Sequence, residues 1–377
     1  MGLAPGWIAV LLLVAGTQGA GLSAPNRPTR SDVCGECHRD IYRMWRASAH
    51  AAAMEDPVFL EAYRETTARD GTSAGRVCLA CHSPLVDKTG DVQLDRKVTW
   101  EGVSCEVCHS LVGVELSSSG AKLAFDVGAV KRGPIRDATS TGHEVAYSEL
   151  HTTALVCAGC HEYVNAEGTP IITTYSEWKA SRAAKDGRTC QSCHMGRTRA
   201  HVVDPRILRA PGVEVNLHEV PGGHSLEQLH KALGASILDP TRSGDQLEIK
   251  IRLTNKGAGH AVPTGMPGRR VILRVQVDTS AGKSLQDQRV YEKIFRGADG
   301  ALIERGSGFF ARSLRLESDS RIRADEQRIE SFLFTVPAAD TAHVEVKLHY
   351  EHTPTGGDEG RTRLTFLSER RIVPPRS

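Results

Sequence analysis

The chain has 377 residues, enough for roughly two domains of about 150 residues with a core that needs no staples. Hydrophobic residues make up 40% and charged residues 24%, which excludes a disordered or fibrous chain. A net charge of +2 excludes the strongly basic footprint of a nucleic-acid binder. The charge is uneven: residues 1–240 hold 24 Lys and Arg against 27 Asp and Glu, and residues 241–377 hold 23 against 18. Aromatics are only 5%, so something other than Phe and Trp has to fill part of the interior.

In chain order, the first feature is the apolar run Trp7–Ala15, followed by small residues through Ala24. It is shorter than the about 20 apolar residues a membrane span needs and fits the apolar region of a secretory signal peptide, read here as residues 1–24. No Lys or Arg precedes the run and no clean A-x-A site follows it, so a buried strand or an uncleaved anchor is the competing reading. No other stretch is apolar enough to span a bilayer. The expectation is an exported chain, periplasmic or extracellular, without a stable membrane span after removal of the signal.

All ten cysteines fall in C-x-x-C pairs, and every pair is followed by histidine: Cys34, Cys37 and His38; Cys78, Cys81 and His82; Cys105, Cys108 and His109; Cys157, Cys160 and His161; Cys190, Cys193 and His194. C-x-x-C-H is the attachment signature of c-type haem. Two thiols three residues apart can add to the two vinyl groups on one porphyrin edge, and the next residue offers its imidazole as proximal iron ligand. Zinc sites, redox dithiols and disulfides also use paired cysteines, but none of them requires the histidine. Histidine is 16 of 377 residues, so five occurrences in five are not an effect of composition. The expectation is five covalently attached haem c groups.

The motifs span Cys34 to His194, about 32 residues per haem. So short a stretch cannot enclose a porphyrin, and the haems would share walls and supply the missing core. Close packing of this kind suits electron hopping. For the second axial ligand, eleven histidines remain against four methionines after the start residue (Met44, Met54, Met195 and Met266), and bis-histidine ligation is the better-supplied choice. His50 ends the helix-like stretch Ile41–His50. His151 and His143 precede the fourth motif, and His218 and His224 flank a loop containing Pro221, Gly222 and Gly223. His201 and His230 rank behind these.

These residues resemble the multihaem c-type cytochromes of the cytochrome c-554-like group. The likeness rests on the first motif followed by Tyr42, Trp45, Ser48 and His50, then His151, then Cys190–Met195 and His218–His224, and covers roughly residues 31–235. It implies an exported electron carrier with parallel and perpendicular haem pairs, mostly bis-histidine irons, and His50, His151 and one of His218 or His224 as distal ligands. The chain departs from the group in its five motifs, where the type member has four, and in its long C-terminal extension.

After about residue 240 the cysteines stop and the hydrophobic period becomes two: Leu247, Ile249, Ile251 and Leu253; Val271, Leu273, Val275 and Val277; Phe332 and Phe334; Val344, Val346, Leu348 and Tyr350; Leu364 and Phe366. Such alternation between turn residues reads as an antiparallel β-sandwich, immunoglobulin-like in type. The expected fold class is therefore α + β multidomain: a mostly helical and irregular pentahaem domain over residues 25–240, then a β-sandwich domain over 241–377. Between two of its strands lies Asn255–Gly265, in which His260 is followed by Pro263, Thr264 and Gly265. Related multihaem cytochromes carry a similar loop, so His260 is a further candidate to reach back to an iron; a tight hairpin with a solvated histidine is the simpler reading.

The leading functional expectation is a carrier that passes electrons between redox partner proteins. The alternative is a multihaem oxidoreductase acting on a small nitrogen or sulfur compound at one open iron, although nothing in the sequence forces such a vacancy. A third possibility is a component of a homo- or hetero-oligomer.

Overall fold

The computed structural model describes residues 27–117, 120–303, 306–310, 314–352 and 362–376; the signal peptide expected over 1–24 lies outside them. Among the described residues no helix is long and apolar enough to cross a membrane.

The N-terminal part is built of short helices and two-stranded ribbons. Each motif sits at the end of a short helix: Ser31–Cys37, Arg76–His82, Cys105–His109, Leu155–His161 and Cys190–His194. Helices of five to seven residues are not stable alone, so their role is local. One turn sets two cysteines on the same side, with the histidine at or just past the C-terminal end. The longest helix here, Pro57–Asp70, has conventional punctuation. Asp56 caps it by accepting from the Val58 and Phe59 amides at 2.8 and 3.2 Å, and Gly71 follows at φ 85°. The helix expected to run to His50 covers only Arg39–Arg46. It stops because Ser48 turns its buried hydroxyl onto the Ala51 amide at 3.1 Å, offering the backbone a local alternative to the helix.

The C-terminal part consists of two four-stranded antiparallel sheets. In the first, Gln246–Asn255 pairs with Gln327–Thr335 on one side and with Thr241–Ser243 and Leu233–Ile237 on the other. In the second the order is Ser284–Tyr291, Arg269–Thr279, Ala342–His352, Thr362–Val373. Period-two burial follows the sequence pattern: Leu247, Ile249, Ile251 and Leu253 of the first sheet and Val271, Leu273, Val275 and Val277 of the second are fully buried in one shared apolar cluster. Each contributes about 1.5–3 kcal/mol on leaving water, and a one-residue slip would turn the whole set outward. Leu233–Ile237 joins this sheet directly from the Leu226–Ala232 helix, so the strands begin before the change of period at about residue 240.

The two parts are knitted together. The ribbon of Lys293–Arg296 and Arg315–Asp319 reaches back so that Phe295, Phe309 and Leu314 pack on Ile171 and Ile172. Beside them the buried Lys293 ammonium donates to the carbonyls of Pro170 and Ile171 and to the Thr173 hydroxyl.

Candidate haem centres

The histidine of each motif is held by a backbone carbonyl in four cases of five. Nδ1 of His38, His82, His109 and His194 lies 2.6–2.7 Å from the carbonyl oxygens of Val202, Ala53, Arg132 and Pro221. A carbonyl can only accept, so Nδ1 carries the proton and Nε2 is left with its lone pair free for a metal. Burial also favours the neutral ring at His82, His109 and His161. Desolvation pushes His109 down to about 4 and His161 down to about 3, with the neighbouring histidines acting in the same direction.

Four of the motif histidines face a second imidazole. Ring centres are 6.0 Å apart for His38 and His143, 6.3 Å for His161 and His50, 6.2 Å for His109 and His151, and 6.3 Å for His194 and His260. Metal–imidazole bonds run at about 2.0–2.1 Å and a ring centre lies roughly 1.1 Å behind its nitrogen, so two imidazoles on opposite sides of one ion have centres about 6.3 Å apart. Direct hydrogen bonding between rings would bring them closer, and unrelated rings would scatter. The residues therefore fit a six-coordinate haem iron at four positions. His151 adds a detail: its Nε2 lies 2.8 Å from the Cys108 carbonyl, while its buried Nδ1 has no partner.

His82 is the exception. Its ring is stacked on Phe59 at 4.0 Å, and no imidazole faces it at the spacing of the other four pairs. His218 is held by the Asn216 carbonyl at 2.7 Å and lies close enough to His109 to disfavour its charged form, without forming a ring pair. His224 lies 5.5 Å from His352 and 6.2 Å from Tyr350. His201 bonds Asp40, and His230 packs near Phe366. The sequence reading passed over His352, which is one alternating position in a strand and has no local pattern to mark it.

The cysteines are not gathered into tetrahedral sets: among the described residues no group of three or more His, Cys, Asp or Glu could hold a metal ion, and no disulfide is formed. Instead, thiols of different motifs meet in pairs. Cys34 meets Cys105, Cys81 meets Cys160, and Cys157 meets Cys190, with Cys108 close to Cys157 and Cys160. All five motifs thus form one connected series.

His260 is brought to His194 by a loop that needs its glycines. A Cβ on Gly257 would lie 2.2 Å from the Lys231 carbonyl, and one on Gly259 would lie 2.8 Å from Ala183 and 3.2 Å from Trp178. Glu177, from the N-terminal part, holds the loop down. It accepts from the Ala261 amide at 3.0 Å, the Thr264 hydroxyl at 3.3 Å and Arg321 at 2.6 Å.

Residues 33–110 match the family described as cytochrome c554 and c-prime. Over 190 residues the chain is 28% identical to cytochrome c-554 of Nitrosomonas europaea, a match covering 48% of this chain and 73% of that protein. Among solved structures, a penta-haem cytochrome c552 from Thermochromatium tepidum has the same fold, with a TM-score of 0.73 and 21% identity over 93% of this chain and all of the other. The C-x-x-C-H motifs with Nε2 left free at four of the five histidines, the match over residues 33–110 and the shared fold together make the chain similar to the multihaem c-type cytochromes and support haem c as its cofactor.

Proposed function

We propose that the chain is an exported pentahaem electron carrier, working in the periplasm or outside the cell and passing electrons between redox partner proteins. When bound, the haem irons supply the chemistry by alternating between ferric and ferrous states. The polypeptide attaches, orients and spaces them. The observation that carries this reading is the connected series of motifs: thiol contacts run from the first to the third, from the second to the fourth and from the fourth to the fifth, and Cys108 joins the third to the fourth. A relay needs such a series, whereas five independent sites would not.

His143, His50, His151 and His260 would supply the second imidazole to haems held by His38, His161, His109 and His194. His218 and His224, also candidates from the sequence, are left outside the iron set. Among the described residues no second imidazole faces His82 at the spacing of the other pairs. The part from about residue 241 is an immunoglobulin-like sandwich, and its contribution of His260 makes it a lid that completes one haem site. The position at His82 is the one where the alternative, an oxidoreductase for a small nitrogen or sulfur compound, would act; the connected series of motifs and the likeness to cytochrome c-554 favour electron transfer.

Expression in a host that matures c-type cytochromes tests this directly. The intact mass should rise by five haems, and the ferric EPR spectrum should show four low-spin irons and one high-spin iron. His260→Ala should convert one further iron to high spin. A mass gain below five haems, or a His260→Ala spectrum identical to wild type, would sink the corresponding assignment.

A further inference from the structure

One cation where the two parts meet has no counter-charge. Arg269 opens the Arg269–Thr279 strand and stands directly opposite His352 in the register of the second sheet, so the two side chains share a face. His352 in turn lies 5.5 Å from His224. Among the described residues the Arg269 guanidinium makes one hydrogen bond, from Nη1 to the Thr264 carbonyl at 3.0 Å, and no ion pair, while its Nε is buried without a partner. Two arginines beside it are matched: Arg321 pairs with Glu177 and Asp319, and Arg270 pairs with Glu351. The carboxylate nearby, Asp56, is already engaged as a helix cap. A buried guanidinium Nε without a partner carries a desolvation cost, and a planar guanidinium with open donors is shaped for a carboxylate.

The surroundings say where such a carboxylate would come from. The positive charge of Arg269 is felt at His82 and His161, the histidines of the second and fourth motifs, and at His224 and His352. We propose that Arg269, flanked by His224 and His352, binds a carboxylate that the polypeptide does not supply, namely a propionate of the haem held at His82 or His161. This rests on the reading that those motifs hold haem. A small free carboxylate has the same chemistry and is the other source to be distinguished. The consequence is electrostatic. A fixed positive charge near an iron favours the ferrous over the ferric form, so Arg269 is a positioning residue through which the β part raises the midpoint potential of a haem anchored in the other part.

The experiment uses the mature full-length protein. Intact mass is read first: haem missing at Cys78–His82 and Cys157–His161 in wild type would overturn the motif reading and remove the propionate source, leaving only the free-carboxylate arm. With full loading, spectropotentiometric titration of Arg269→Gln should show one or two of the five components shifted to lower potential. The expected size is a tenfold change in the ferric–ferrous balance, about 59 mV for one electron, with the remaining components unmoved. Arg269→Lys, which keeps the charge, should restore at least half of the shift. Acetate added at constant ionic strength separates the sources: wild-type potentials indifferent to acetate assign the propionate, and acetate-dependent potentials that Arg269→Gln abolishes assign a free carboxylate. Potentials of Arg269→Gln that coincide with wild type, with and without acetate, overturn the proposal. Should Arg269→Gln fail to mature, the acetate titration of wild type and the potentials of Arg269→Lys carry the same decision.

Discussion

The two parts of the molecule solve the problem of a core in opposite ways. The β part buries one continuous apolar cluster running from Leu229 to Val373, drawn from both sheets. The N-terminal part has only small separate clusters, one around Met54, Phe59, Tyr63 and Leu79 and another around Leu85, Val107 and Val127. Its helices are too short to persist alone. A part with regular elements and a side-chain core can fold on its sequence alone. The other part has anchors where its core should be, and it depends on what those anchors bind.

The sharpest way to break this comparison is to withhold the haem. Protein made without haem attachment should lose the ordered N-terminal part entirely while the β part keeps its strands. Limited proteolysis with circular dichroism checks this: rapid cleavage confined to residues before about 233 is expected, and resistance across the whole chain would show that the small clusters suffice. Next in size is a cavity in the other core. Leu273→Ala, at a fully buried position, should cost about 2–5 kcal/mol in denaturant titration of the β part and leave the haem spectrum unchanged. The junction comes third. Glu177→Ala leaves Arg321 with Asp319 alone and releases the Ala261 amide, at a cost of about 1–3 kcal/mol. It should also loosen His260, seen as partial high-spin character at one iron.

The last test concerns Lys293. Burial lowers its ammonium from 10.5 to about 8. Between those values the unfolded chain binds more proton than the folded one, so stability should rise as pH climbs from about 8 towards 10.5. The gain is at most about 3.4 kcal/mol, and Lys293→Met should abolish the rise. A pH profile identical in both proteins would show that the three oxygen acceptors hold the charged form without penalty.

The contrast also explains what the sequence disclosed. The five motifs and the alternation of Leu247–Leu253 or Val271–Val277 are local patterns with a direct physical meaning, and both could be read residue by residue. His260 was visible only through the likeness of its glycine-rich loop to one in related multihaem cytochromes; the structure adds that Gly257 and Gly259 permit the close approach. The match of His143 with His38, 105 residues away in the chain, was not visible, because it depends on how ribbons and short helices pack rather than on any neighbouring residue. His82 could not be singled out either: its motif is as complete as the others, and what distinguishes it is the absence of a facing ring. Arg269 offered no signal, since an arginine at the head of a strand is ordinary until its carboxylate is found missing.

The thiol contacts between motifs carry a further consequence for biosynthesis. In the folded arrangement Cys34 lies beside Cys105, Cys81 beside Cys160, and Cys157 beside Cys190, so a chain that reaches it with free thiols brings them together. In an oxidising compartment each of these encounters would close a disulfide that staples two motifs together and blocks both. The geometry that brings the haems into contact thus creates a competing oxidation product. Maturation of this chain has to keep its thiols reduced until the thioether bonds are made, and the yield of mature protein should respond to the supply of reductant.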